Sequence, residues 1–90
     1  MQPPRQLRHL SGIGKAMLAD LSLLQIHSVP QLAASDPDQL FRQLCHLTNS
    51  PQDPCVLDTL RCAVAQARNP ELPAEQRNWW WWSRQRKAGR

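Results

Sequence analysis

The run Leu10-Ser11-Gly12-Ile13-Gly14-Lys15 constrains this 90-residue chain more than any other segment. Two glycines two positions apart relax the backbone restriction twice and mark a tight turn. Leucines bracket it: Leu7 and Leu10 before, Leu18 and Leu21 after. At helical spacing these fall on facing sides of two short helices, one over Arg5 to Leu10 and one over Lys15 to Leu24. Leu21 and Leu18, with Met17 or Leu24, make the buried side of the second, and Ile13 plugs the turn from inside. The backbone N–H groups freed at the turn then point outward at a helix start, where they favour phosphate oxygen. Lys15 adds a mobile charge at the same spot.

The rest of the chain is also written in helix signals. Strand formers are scarce, with no Tyr and one Phe, so a sheet is not expected. Ser28 caps a short helix through Pro30-Gln31-Leu32. Asp36-Pro37 opens a helix to about Thr48, with Leu40, Leu44 and Leu47 on one stripe and Phe41 beside them. Asp53-Pro54 opens another to about Arg68, with Val56, Leu60, Ala63, Val64 and Ala67 on its buried face. Asn69-Pro70 ends it. Pro73 starts a last helix through Trp79-Trp80-Trp81-Trp82. These signals predict an all-α domain of five or six helices over residues 5–82. Residues 83–90 read as a basic, disordered tail.

The order of motifs resembles the small bacterial helix-hairpin-helix (SAM-like) proteins of the pathogenicity locus family, some of which carry mitomycin-resistance names. The residues that carry the resemblance are the hairpin, Leu24-x-Ile26-x-Ser28-Val29-x-x-Leu32, Asp36-Pro37-x-x-Leu40, Leu44-Cys45, Asp53-Pro54-Cys55-Val56-Leu57 and the Trp-rich end. The resemblance implies a phosphate-contacting loop at Gly12, Ile13, Gly14 and Lys15. Ser11 stands where the hairpin often begins with Pro. Leu18, with Ala19 beside it, stands where a small Ala is expected. Neither Asp36-Pro37 nor Asn49-Ser50-Pro51 supplies a second Gly-x-Gly.

Charge is segregated. Residues 1–15 carry Arg5, Arg8 and Lys15 and no acid, and residues 77–90 carry Arg77, Arg84, Arg86, Lys87 and Arg90 and no acid. The middle holds all seven acids against three arginines. Basic ends around an acidic body predict a polyanion partner. The leading expectation is non-sequence-specific binding of a DNA backbone, or of RNA or single strands, by Ser11, Gly12, Ile13, Gly14 and Lys15. Arg5, Arg8 and His9 flank that site, and Arg84, Arg86 and Lys87 give a second contact. No recognition helix for base edges stands out.

Other chemistry finds little footing. Cys55 and Cys62 are seven apart on one predicted helix, ~10 Å along its axis, which does not suit ligands ~2.3 Å from one zinc. Cys45 and His46 are neighbours pointing ~100° apart. Cys45, Cys55 and Cys62 therefore read as buried structural thiols, with Cys45 able to face either of the others across a helix pair. The acids sit mostly at helix starts, where they suit the dipole. Neither a catalytic set nor a metal or cofactor site is expected, and the chain is not read as an enzyme. No apolar run approaches the ~20 residues of a membrane span, so the default expectation is a cytoplasmic protein.

Four consecutive tryptophans cover ~300° of a helix, more than one neighbour can bury. Trp79 and Trp82 share a face and are expected in the core. Trp80 and Trp81 then point elsewhere, to a second copy, a protein partner or unpaired bases. The alternative function is therefore a protein-interaction or dimerisation module with a structural hairpin.

Overall fold

The computed structural model describes residues 5–89; Met1–Pro4 and Arg90 lie outside them. Among the described residues every regular element is helical. There are five α-helices: α1 (Lys15–Leu23), α2 (Val29–Ala33), α3 (Pro37–Leu47), α4 (Pro54–Arg68) and α5 (Trp79–Lys87). Two 3-10 turns, Leu7–His9 and Ala74–Arg77, precede α1 and α5. Among the described residues no helix is long and apolar enough to cross a membrane.

Helices begin where their caps are written. Ser28 Oγ accepts from the Gln31 N–H at 3.2 Å, Asp36 Oδ1 from Asp38 at 2.9 Å and Asp53 Oδ1 from Cys55 at 2.8 Å. A proline follows within two positions in each case. Gln25 (φ 61°) and Asn49 (φ 52°) end α1 and α3 in left-handed geometry. The Ile26 N–H then returns to the Leu21 carbonyl and the Ser50 N–H to the Cys45 carbonyl, which satisfies carbonyls a helix end would orphan.

The long helix α4 is the axis of the molecule, with α2, α3 and α5 all packed on it. It buries Leu60, Ala63, Val64 and Ala67, as its spacing predicts, while Val56 is half-buried against the same core. Leu7, Leu10, Ile13, Met17 and Leu21 join them from the hairpin, and Leu32, Leu40 and Leu44 from α2 and α3. Leu18 packs half-buried on this core, so the hairpin accommodates it.

Four expectations are corrected. The segment before the hairpin is one 3-10 turn rather than a helix over Arg5 to Leu10. It is too short to repay helix nucleation, and Leu10 turns extended so that its carbonyl can accept from the Ile13 N–H. Leu47 is exposed, because the end of α1 meets α3 only at an open groove that Leu23 and Leu47 border. The last helix is broken at Asn78, whose extended backbone separates the 3-10 turn from α5. Residues 83–87 belong to α5 and are not a disordered tail, for reasons that lie in its contacts with α4.

Candidate nucleic-acid interface

The hairpin loop is built from the inside outward. Ile13 is buried in the core and pins the loop beneath. Gly12 sits at φ +85°, where an L side chain is strained, and a Cβ there would lie 4.0 Å from the Thr59 methyl. Gly14 differs: its φ of −96° is open to any residue, and a Cβ there would meet nothing within 4 Å. The fold therefore requires glycine at position 12 but not at position 14.

Gly14 is the N-cap of α1, and no side chain caps it. The first intrahelical bond runs from the Leu18 N–H to the Gly14 carbonyl at 2.9 Å, so the N–H groups of Lys15, Ala16 and Met17 have no intrahelical acceptor. Gly14, Lys15 and Ala16 are exposed, and the first turn holds no acid. Helices α2, α3 and α4 each satisfy their own starts with a side-chain oxygen. The start of α5 also lacks a cap, but tryptophans fill its first turn. The start of α1 thus combines free donors, a positive dipole end and a lysine.

The loop is held by a residue that sequence reasoning missed. Gln66 of α4, 4% exposed, accepts from the Ser11 N–H at 2.9 Å and donates Nε2 to the Ser11 carbonyl at 2.9 Å. One amide thus takes both backbone groups of Ser11, so Ser11 acts through its backbone. A polar residue three positions after Ala63 on the apolar face of α4 was the available signal.

The expected basic contacts divide into two groups. Arg5 donates to the Gln66 and Ala67 carbonyls at 2.9 and 3.1 Å, so its guanidinium closes the end of α4. Arg86 donates to both carboxylate oxygens of Asp58 at 3.0 to 3.3 Å, and Asp58 is fully buried. That pair also raises the guanidinium's pKa, chiefly through the Asp58 hydrogen bond. These two arginines hold the fold and are not free for a ligand. Lys15, Arg84 and Lys87 are exposed. Arg8 is exposed too and lines an open groove with Leu18, Ser22 and His27. His9 Nδ1 accepts from the Gln6 N–H at 3.1 Å and closes the first turn.

Gly12 faces Thr59 and Arg86 grips Asp58, at consecutive positions of α4. The fold therefore brings the hairpin and the last turn of α5, the two basic ends of the sequence, to one region. The tryptophans depart from expectation. Trp79 is exposed rather than core, because it is the first residue of α5, at the break at Asn78, and overhangs the packed part of the helix. Ser83 and Arg86 define its inner side instead. Trp82 and Trp81 are half-buried and meet edge to face at 5.0 Å, and the Trp82 indole N–H donates to the Gln76 carbonyl at 2.8 Å. Trp80 is exposed under the Arg84 guanidinium.

The profile of a family described as "Pathogenicity locus" matches residues 2–88. The chain belongs to that family. The mitomycin resistance protein McrB of Streptomyces lavendulae is 33% identical over 81 residues, which is 90% of this chain and 73% of that protein. No solved structure matches.

In this family member the thiols are not a set. Cys62 is buried, Cys45 half-buried and Cys55 exposed, and all three are free; exposure of Cys55 corrects the expectation that it is buried. Burial pushes the Cys62 thiol up to about 11. Among the described residues no three His, Cys, Asp or Glu side chains are placed to share a metal ion.

Proposed function

We propose that this protein holds DNA by its phosphate backbone, without reading sequence, using the Leu7–Leu21 unit as a helix-hairpin-helix clamp. One observation carries the reading: an exposed, acid-free, uncapped start of α1 reached across a glycine that the fold itself does not need. Gly12 makes the turn. The Gly14, Lys15 and Ala16 amides receive phosphate oxygens. Lys15 neutralises charge, with Arg8 and His9 at the flank, and exposed Arg84 and Lys87 on α5 add positive charge to the molecule. One loop reaches only one or two phosphates, so affinity is modest and depends strongly on salt.

Binding of a labelled blunt duplex across a salt series tests this. Gly14→Ala with Lys15→Glu sets a methyl beside the amides and reverses the charge there, and circular dichroism should show an unchanged helical signal. The double variant should lose most affinity, and its salt slope should fall by about 1 or more. Unchanged binding would remove the hairpin from the interface. If binding is absent at low salt in both forms, a protein partner for the Trp segment becomes the better reading.

A further inference from the structure

The inner side of α5 is fixed by buried Ser83, by Arg86 on Asp58 and by Trp82 on the Gln76 carbonyl. At ~100° per residue Trp80, Arg84 and Lys87, spaced i, i+4 and i+7, share one face that flanks this inner side. All three are exposed, and Trp80 keeps 40% of its surface open. The Arg84 guanidinium lies 4.6 Å from the Trp80 ring centroid, a cation–π contact that holds the ring in place. No acid occurs after Glu75.

A fixed aromatic ring beside two cations suits a ligand that alternates flat faces with negative charge. A single nucleic-acid strand is such a ligand: the base stacks on the ring and the phosphates meet the guanidinium and ammonium groups. A duplex keeps its base faces covered, so the ring has no role there. A protein partner would find one ring on a convex helix rather than an apolar pocket. A membrane surface would find that ring hemmed by cations.

We infer that Trp80, with Arg84 and Lys87, is a stacking site for an unpaired base of single-stranded DNA, separate from the hairpin. This rests on the backbone-binding reading and extends it. Within the same turn Arg86 points the other way and holds Asp58, which fixes the helix that presents Trp80, Arg84 and Lys87. The substrate class this fits is single-stranded DNA.

The test is fluorescence anisotropy of two labelled probes: single-stranded oligothymidine and a blunt duplex. Trp80→Ala should weaken single-strand binding by roughly 5- to 150-fold, the range of one stacked base, and leave blunt-duplex binding unchanged. Trp80→Phe should keep most of the affinity, and Trp79→Ala should match wild type. Wild-type binding of the single strand by Trp80→Ala would overturn the inference. So would an equal loss in Trp79→Ala, or Trp80-dependent binding to anionic phospholipid vesicles with none to the oligonucleotide. Lys15→Glu separates the two readings. If it abolishes duplex binding while Trp80→Ala leaves the single strand bound, only the stacking site falls. If Trp80→Ala loses the single strand while Lys15→Glu keeps the duplex, only the hairpin reading falls.

Discussion

Gln66 is one side chain that satisfies both backbone groups of Ser11 from 55 residues away. Its replacement by Ala strands a partly buried N–H and C=O, which costs about 1–3 kcal/mol. Urea denaturation of Gln66→Ala should show that loss, and an unchanged midpoint would mean the loop is held by Ile13 alone. The two glycines should separate in the same assay. Gly12→Ala forces an L residue to φ +85° and should cost ~1–2 kcal/mol. Gly14→Ala meets open space at an ordinary φ and should stay within ~0.5 kcal/mol of wild type. Equal losses would contradict the different roles of these positions. The sequence showed that both glycines belong to a turn; only backbone geometry shows which one the fold needs.

At the scale of elements, starts were legible and the last helix was not. Ser28, Asp36-Pro37 and Asp53-Pro54 act on N–H groups two or three residues away, so local sequence suffices to place α2, α3 and α4. α5 depends on Asp58, 28 positions upstream, and no local signal shows that Arg86 reaches it. Arg86→Ala leaves a buried carboxylate unpaired. Arg86 is partly exposed, so the expected cost is on the order of 2–3 kcal/mol, below the fully buried case. Chemical denaturation checks the figure, and Asp58→Asn combined with Arg86→Met should recover much of it. At the other end of the element range, the Cys55 N–H on Asp53 holds that carboxyl below its ordinary value. Folded Asp53 binds its proton less readily than the unfolded chain. Its contribution is therefore present above the ordinary carboxylate pKa of ~3.9 and lost as pH falls through the lower folded value. Asp53→Asn keeps a cap without the charge, and its stability should fall less steeply on acidification below pH ~4.

Across the whole molecule, the segregated charge of the sequence becomes a geometric fact. α4 receives the hairpin at Thr59 and Gln66 and α5 at Asp58, so both basic ends gather on one helix. Segregation was readable from composition, but the gathering was not, because it needs the packing around α4. The same packing seals Cys62, whose thiol is raised to about 11 by burial. Iodoacetamide at pH 8 should label exposed Cys55 in the folded protein and Cys62 only as urea unfolds it. Prompt labelling of Cys62 without denaturant would mean that α5 leaves α4 readily. The most direct test of the proposed DNA contact is the backbone amide spectrum during titration with a short duplex at low salt. The largest shifts should fall on Gly14, Lys15 and Ala16, with smaller ones at Arg84 and Lys87 and none at Gln43 or His46 on α3. Shifts confined to α3 and the Leu23–Leu47 groove, or none at any residue, would contradict a backbone clamp at the hairpin.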